Sequence, residues 1–180
     1  SISHRAVILS SLAKGKSIVR NFLRAEDTMS TMNAMKMLGV DIEQQTSRAA
    51  EQQSKGKDTT ALLHYCSTDL VIHGKGIRGL KEPEDVIDCG NSGTTARLMS
   101  GILAGNPFFS VLTGDDSLRQ RPMARVINPL KEMGAEISGR GGDKYLPMAI
   151  KGRKLKAIKY AMPVASAQVK SALLLAGLYA

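Results

Sequence analysis

The chain has 180 residues, enough for one domain with a real core or for two small subdomains. Hydrophobic residues make up 43% and charged residues 23%, as in ordinary globular proteins, and no apolar stretch approaches the roughly 20 residues that span a bilayer. The net charge of +9 favours anionic ligands. Because aromatic residues are only 4% and the basic residues are dispersed, small anions are favoured over nucleic acid.

The first predicted element is a helix in RAVILSSLAKG, which begins at Arg5 and is apolar on nearly all sides. RLMSGILAG from Arg97 and KSALLLAG from Lys170 repeat its pattern of a basic residue, an apolar run rich in small residues and a glycine. A helix that is apolar all round is buried on most sides. The three segments therefore predict equivalent, closely packed core helices.

The same kinds of element follow the first two helices. SIVRNFLRAEDT from Ser17 and FFSVLTGDDS from Phe108 predict a short strand that runs into an acidic turn. MNAMKMLGVDI from Met32 and VINPLKEMGAEI from Val126 predict an amphipathic helix that ends at a glycine and precedes a strand. Another strand completes each unit, in LVIHGKG from Leu70 and in PMAIKGR from Pro147. The unit is thus helix–strand–helix–strand–strand.

The repeat predicts an α/β domain with helices in the core and sheets outside, in units at residues 1–79, 80–153 and 154–180. Alternation of residues such as Ile18, Arg20 and Phe22 predicts that one sheet face meets water. The polar stretch from Glu43 to Thr60 is expected to be an extended turn or loop. Because the third unit stops after its first helix, we expect the chain to be a fragment of a longer protein.

Three predicted helix starts carry small residues and hydroxyls: SIS before Arg5, GNSGTT before Arg97 and ASAQ before Lys170. A helix N-terminus has partial positive charge and unpaired N–H groups, so it favours phosphate or carboxylate. Any one of these starts could be an ordinary N-cap. Their recurrence at equivalent places in a repeat favours a shared anion site.

The loop GDDSLRQRPM, from Gly114 to Met123, brings Arg119, Arg121 and Arg125 close together in sequence. Arginine presents a planar fork that suits carboxylate or phosphate, although a solvated basic turn is the alternative. The carboxylates of this loop could be acid–base groups, but we expect turn or N-cap roles for Asp115 and Asp116. No dinucleotide or P-loop motif is present.

The remaining candidates for chemistry are the histidines and cysteines. His4, His64 and His73 lack the spacing of metal ligands, so no metal is expected, and His4 beside a helix start is interpreted as structural. Cys66 and Cys89 also lack such spacing. They are predicted to be reduced thiols in a cytoplasmic protein.

In these motifs the chain closely resembles the 5-enolpyruvylshikimate-3-phosphate synthase family. The matching segments are SISHRA from Ser1, DCGNSGTTARL from Asp88, SLRQRPMARV from Ser117, PLKEMGAEI from Pro129 and PVASAQVKSALLLAGL from Pro163. The resemblance implies two domains, each of three βαβαββ repeats around buried parallel helices in an inside-out barrel. It places this chain in the N-terminal domain of an enzyme expected to be a monomer.

The resemblance also implies an activity. The family transfers the enolpyruvyl group of phosphoenolpyruvate to the 5-hydroxyl of 3-phosphoshikimate through a tetrahedral intermediate and releases phosphate, without metal or organic cofactor. By motif, the residues that would bind 3-phosphoshikimate are Ser1, Arg5, Ser166, Ala167 and Gln168. Those that would bind phosphoenolpyruvate, in the pocket where glyphosate binds in the family, are Gly93, Arg121 and Gln168. Supporting residues would be Asn91, Thr94 and Arg97.

The chain departs from the family pattern in what it leaves out. The family has a lysine before the serine that matches Ser1, and its proton-transfer carboxylates lie in the second domain. The resemblance therefore predicts that this chain is inactive alone and needs the C-terminal domain as its partner. Two other interpretations stay open: a fragment of the related UDP-N-acetylglucosamine enolpyruvyl transferase, which usually has a cysteine near Asp116, and a non-catalytic polyanion-binding module.

Overall fold

A computed structural model describes residues 2–46 and 68–180 of the chain. The helices are α1 (Ile2–Leu12), α2 (Glu26–Met37), α3 (Gly93–Ala104), α4 (Ala124–Glu132) and α5 (Ala167–Gly177). The strands are β1 (Lys14–Phe22), β2 (Asp41–Thr46), β3 (Thr68–Lys75), β4 (Ile87–Asp88), β5 (Phe109–Thr113), β6 (Glu136–Gly139) and β7 (Tyr145–Lys151). A 3-10 turn at Leu118–Gln120 precedes α4, and a helical turn at Arg140–Asp143 joins β6 to β7.

Two sheets of equivalent topology form the outer layers. The first has the order β1–β3–β2 with antiparallel pairs, and the second has β4–β5–β7–β6, in which only β4 and β5 pair in parallel. From β4 to β7 the element order is βαβαββ, as the resemblance implied. The α/β fold class is therefore confirmed, whereas the proposed boundaries of the repeats stay a prediction.

Two predicted boundaries were wrong. Helix α2 begins at Glu26 rather than near Met32, because the residues interpreted as an acidic turn form its first turn. Acidic side chains there stabilise the positive end of the helix dipole. The first residues of the predicted polar loop, from Glu43 to Thr46, belong to strand β2, where pairing with β3 overrides polar composition. Residues 47–60 of that stretch lie outside the described part of the chain.

Strand β1 does present one face to water, but not with the simple alternation expected. Ile18 is 56% exposed, whereas Phe22 is 2% exposed although it lies four residues further along the strand. The register with β3 shifts between Val19 and Phe22, and Asn21 has φ of 54°. This bulge turns Phe22 from the face of Ile18 into the core.

The glycines predicted to end the amphipathic helices do so in the same way. Gly39 follows α2 with φ of 84°, and Gly134 follows α4 with φ of 98°. The next residue in each case returns a hydrogen bond to the helix, from Val40 N–H to the carbonyl of Met35 and from Ala135 N–H to that of Leu130. Left-handed glycine makes this turn without steric strain, so the prediction is confirmed.

Helix α3 lies at the centre of the core, between α2, α4 and α5 and against β5 and β7. All its residues from Leu98 to Ala104 are buried, as predicted. Helix α1 was also expected to be buried on most sides, and that was wrong for Leu9, which is 55% exposed. On α5, Leu174 is 64% exposed. Among the described residues, no helix combines the length and apolar character needed to cross a membrane.

Candidate anion-binding site between helix N-termini

The N-terminus of α3 forms the centre of the candidate site. Ser92 is its N-cap, and Ser92 Oγ accepts a hydrogen bond from the backbone N–H of Thr95 over 3.1 Å. Gly93 is the first helical residue, at the end where the helix dipole places partial positive charge. The segment from Asp88 to Arg97 therefore contains the helix start that its sequence predicted.

Arg121 is held against the residues that precede this helix start. Its guanidinium donates to Asn91 Oδ1 over 2.5 Å and to the Asn91 backbone carbonyl over 3.3 Å. Asn91 Nδ2 in turn donates to Asp115 Oδ2 over 2.7 Å, and Asp115 Oδ1 accepts from the N–H of Leu118 over 2.7 Å. These hydrogen bonds, that from Asn91 first, hold the pKa of Asp115 below its usual range. Asp115 thus has the turn role expected of it.

Arg97 and Gln168 join α3 to α5. Arg97 Nη1 donates to Gln168 Oε1 over 2.7 Å and to the carbonyl of Gly93 over 3.3 Å, while Nη2 donates to the carbonyl of Pro122 over 3.1 Å. Gln168 Nε2 donates to Thr94 Oγ1 over 2.9 Å. Because one end of the amide accepts and the other donates, Gln168 is fixed in a single orientation between the two helices.

The N-terminus of α5 adds a second helix start beside the first. Ser166 is the N-cap and accepts the N–H of Val169 at Oγ over 3.3 Å. Arg5 reaches this turn from α1, with Nε and Nη2 donating to Ser171 Oγ over 3.2 and 2.7 Å and Nη2 to the carbonyl of Ala167 over 3.5 Å. The first turn of α5 therefore lies between Arg5 on one side and Arg97 on the other.

The electrostatics of the site favour an anion. The pKa of Arg97 is lowered from its usual value, first by burial and then by the charges of Arg121 and Arg125. A guanidinium nevertheless stays protonated in a protein, so the repulsion between these groups remains. An anion bound among them would offset that repulsion and would also meet two helix N-termini.

Gly93 leaves space beside the helix start for the two guanidinium groups that would bind such an anion. A Cβ atom built at this position would lie 2.7 Å from Arg97 Nη1 and 3.5 Å from Arg121 Nη1. A methyl group at residue 93 would therefore displace the head of Arg97. The absence of a side chain here lets both guanidinium groups lie against the helix backbone.

Some residues singled out in the sequence are not among the residues that form this site in the described part of the chain. Ser1 is outside the described residues. Arg119 pairs with Asp116 rather than with the site. Lys170 lines a groove of about 620 Å³ together with Leu174, whereas Gln168 makes the side-chain hydrogen bonds from the start of α5 to α3.

Sequence reasoning missed a buried polar chain behind the site. His4 was correctly interpreted as structural, but its partner was not foreseen: His4 Nδ1 and Thr31 Oγ1 are 2.7 Å apart. Thr31 Oγ1 is 2.6 Å from Thr95 Oγ1, which donates to Ser92 Oγ over 2.8 Å. The sequence signal that could have indicated these contacts is Thr31 itself, a threonine on the buried face of α2. A buried hydroxyl requires a hydrogen-bond partner.

Two further groups bear on metals and thiols. Strand pairing brings ligand atoms of Asp41, Glu43 and His73 within 4.8 Å of one another on the first sheet, which residue spacing did not predict. Asp41 and Glu43 are exposed, and we assign no metal to them.

Cys89 is buried, and its burial, followed by the charge of Asp88, raises the pKa of its thiol to about 12. This thiol stays protonated and unreactive.

Comparisons with known proteins show the family of the chain and support its fold. The sequence profile of the family described as EPSP synthase (3-phosphoshikimate 1-carboxyvinyltransferase) matches residues 1–180. Relatives named 3-phosphoshikimate 1-carboxyvinyltransferase are 56% identical in Thermodesulfovibrio yellowstonii, 53% in Geotalea uraniireducens and 51% in Bacillus subtilis, each over 180 residues. These matches cover 100% of this chain and 37% of each relative. The EPSP synthase structure from Acinetobacter baumannii superimposes with a TM-score of 0.84 at 42% identity, over 99% of this chain and 36% of that one.

Proposed function

The chain belongs to the EPSP synthase family, and on that premise we propose that it forms part of a 3-phosphoshikimate 1-carboxyvinyltransferase. The proposed reaction adds the 5-hydroxyl oxygen of 3-phosphoshikimate to C2 of phosphoenolpyruvate while a proton adds to C3. Loss of phosphate from C2 and of a proton from C3 then restores the carbon–carbon double bond. The activity belongs to the whole protein, because the chain spans 37% of the length of the relatives it matches.

One observation carries the proposal: three arginines and two helix N-termini meet at one place. Arg5 and Arg97 flank the first turn of α5, and Arg121 lies against the start of α3. Both proposed substrates carry a phosphate and a carboxylate, and these are the groups that guanidinium forks and helix N-termini bind. Two such ligands side by side, each with two anionic groups, would account for a site so rich in positive charge.

We assign the two substrates to the two ends of this site. The residues proposed to bind 3-phosphoshikimate are Ser1, Arg5, Ser166, Ala167 and Gln168. Those proposed to bind phosphoenolpyruvate are Gly93, Arg121 and Gln168, with Asn91, Thr94 and Arg97 in support. Gln168 serves both because its amide lies between Arg97 and Thr94, at the boundary of the two helix starts.

The rest of the active site is proposed to lie outside this chain. Arginines, amides and hydroxyls make the side-chain hydrogen bonds between the helices of the described cleft. The carboxylate of Asp115 accepts hydrogen bonds from Asn91 and from the N–H of Leu118 in its own turn. Proton transfer to the enolpyruvyl carbon is therefore assigned to carboxylates of a second domain. The parent enzyme is proposed to be a cytoplasmic monomer that needs neither metal nor organic cofactor.

The decisive experiment measures phosphate release in the full-length protein that carries this chain. Arg121→Gln removes one charged hydrogen-bonding partner of phosphoenolpyruvate, so its KM should rise at least about tenfold, since a hydrogen bond to a charged group contributes about 1.5–3 kcal/mol. The KM for 3-phosphoshikimate should stay nearly unchanged. Arg119→Gln, in the same loop but paired with Asp116, is the matched control and should leave both constants unchanged.

The outcomes separate the competing functions. Turnover with UDP-N-acetylglucosamine in place of 3-phosphoshikimate would identify the related transferase and contradict the proposal. Tight, steeply salt-dependent binding of mixed-sequence DNA without any turnover would favour a polyanion-binding module. Turnover by the 180-residue chain alone would contradict the assignment of proton transfer to a second domain.

A further inference from the structure

The polar contacts of the candidate site close into a ring that passes through four helices. On the substrate side, Arg5 of α1 bonds to Ser171 of α5, and Gln168 of α5 bonds to Arg97 and Thr94 of α3. On the far side, Ser92 and Thr95 of the α3 start connect through Thr31 of α2 to His4 of α1. The two arcs meet at the first turns of α1 and α3.

The two arcs differ in their access to water. The far arc consists of His4, Thr31, Thr95 and Ser92, which are between 0% and 2% exposed. Arg5, Arg97 and Gln168 of the near arc are only partly buried. Near-arc bonds can therefore be exchanged for bonds to a ligand, whereas the far arc cannot exchange its partners without leaving a buried polar group unpaired.

The far arc is also a continuous series of hydrogen-bond distances that is shielded from solvent. Its successive polar atoms are separated by 2.7, 2.6 and 2.8 Å, from His4 Nδ1 through the two threonine hydroxyls to Ser92 Oγ. Thr95 Oγ1 is in addition 3.2 Å from the carbonyl of Asp27. Burial lowers the pKa of His4 from its usual value and so favours the neutral imidazole.

The far arc ends on the atoms that orient the anion site. Ser92 Oγ accepts the N–H of Thr95 and so sets the direction of the first turn of α3 at Gly93. His4 precedes Arg5, whose guanidinium contacts α5. A displacement at Thr31 would therefore move the start of α3 relative to Arg5, and with it the two ends of the substrate cleft.

We propose that Thr31 and Thr95, with His4 and Ser92, are positioning residues that hold the two anion-binding helix starts at a fixed separation for catalysis. The inference rests on the proposed function and deepens it. None of the four side chains need touch a substrate. They act through the helix start at Gly93 and through Arg5.

The test compares two substitutions of Thr31 in the full-length protein. Thr31→Val keeps the shape and removes the hydroxyl, whereas Thr31→Ser keeps the hydroxyl. We expect Thr31→Val to lower kcat/KM for phosphoenolpyruvate about tenfold, because sub-ångström misplacement of binding groups is costly in the transition state. Thr31→Ser should stay within about twofold of the unaltered protein.

A matched control separates positioning from stability. Ser100 is also fully buried, on α3, but its hydroxyl donates within its own helix to the carbonyl of Ala96 over 2.6 Å. Ser100→Ala should lower the Tm without changing kcat/KM of the folded enzyme. If Thr31→Val behaves in the same way, the hydrogen bonds of the far arc only stabilise the fold and the proposal is wrong.

Two further arms keep the proposal testable. If Thr31→Val does not fold, His4→Leu and His4→Asn repeat the comparison at the other end of the far arc, since an asparagine amide can replace the imidazole Nδ1.

If the unaltered protein shows no transfer activity, the proposed function fails. Titration with inorganic phosphate, followed by NMR at the Gly93 and Thr94 amides, then decides the positioning role. Equal phosphate affinity in Thr31→Val and Thr31→Ser would overturn it, and about tenfold weaker binding by Thr31→Val would support it.

Discussion

Helices α1 and α3 occupy equivalent places in the two successive units, yet they experience different environments. Both carry an apolar run with small residues, and the sequence predicted both to be buried on most sides. Helix α3 packs against α2, α4, α5 and two strands, whereas α1 packs against α2, β1 and β3. As a result Leu98 of α3 is 0% exposed and Leu9 of α1 is 55% exposed. Apolar composition thus permits burial, but the number of neighbouring elements decides it.

The largest expected effect comes from truncating leucine in both helices. Leu98→Ala should lower the free energy of unfolding by about 4 kcal/mol, because it removes buried methyl groups and leaves a cavity. Leu9→Ala should change it by less than about 0.5 kcal/mol, as surface substitutions do. Urea unfolding followed by circular dichroism measures both. Equal losses of unfolding free energy would mean that α1 is as deeply buried as α3, which would contradict the difference between their environments.

The next effect tests how closely α3 approaches its neighbour. A Cβ atom at Gly101 would lie 2.1 Å from the carbonyl oxygen of Ala172 on α5, a backbone atom that cannot move aside alone. Gly101→Ala should therefore cost about 3 kcal/mol of unfolding free energy. Gly177, in the last turn of α5, has nothing within 4 Å of such an atom. Gly177→Ala is the control, and its thermal unfolding should match or slightly exceed that of the unaltered protein.

The smallest effect compares the N-caps of the two helix starts. Ser92 is fully buried, so Ser92→Ala removes the side-chain partner of the Thr95 N–H and one of several partners of the Thr95 hydroxyl, and it should cost about 1.5 kcal/mol. Ser166 is partly exposed, and water can replace its hydroxyl. Ser166→Ala should cost about 0.5 kcal/mol. A larger loss at Ser166 than at Ser92, measured by urea unfolding, would show that burial does not set the strength of these caps.

The local features of this protein were predictable because neighbouring residues determine them. Glycine with positive φ ends α2 and α4 at Gly39 and Gly134 as predicted, since few other residues adopt that conformation. The helix start at Gly93 was predictable from a run of small and hydroxyl residues. The family resemblance rested on such local motifs, and for that reason it already named Arg5, Arg121 and Gln168 as candidates.

Tertiary structure decided what depends on residues far apart in the chain. The bulge at Asn21 that turns Phe22 inward, and the strand character of Glu43 to Thr46, both arise from pairing with β3. The hydrogen bond between Arg97 and Gln168 joins residues separated by 71 positions. The polar chain from His4 through Thr31 links segments 27 positions apart. The sequence by itself determined which residues could bind an anion, because that depends on their chemistry and on local helix starts. Only the packing of four helices placed those residues around one cleft, since the distances within it depend on contacts that no local segment contains.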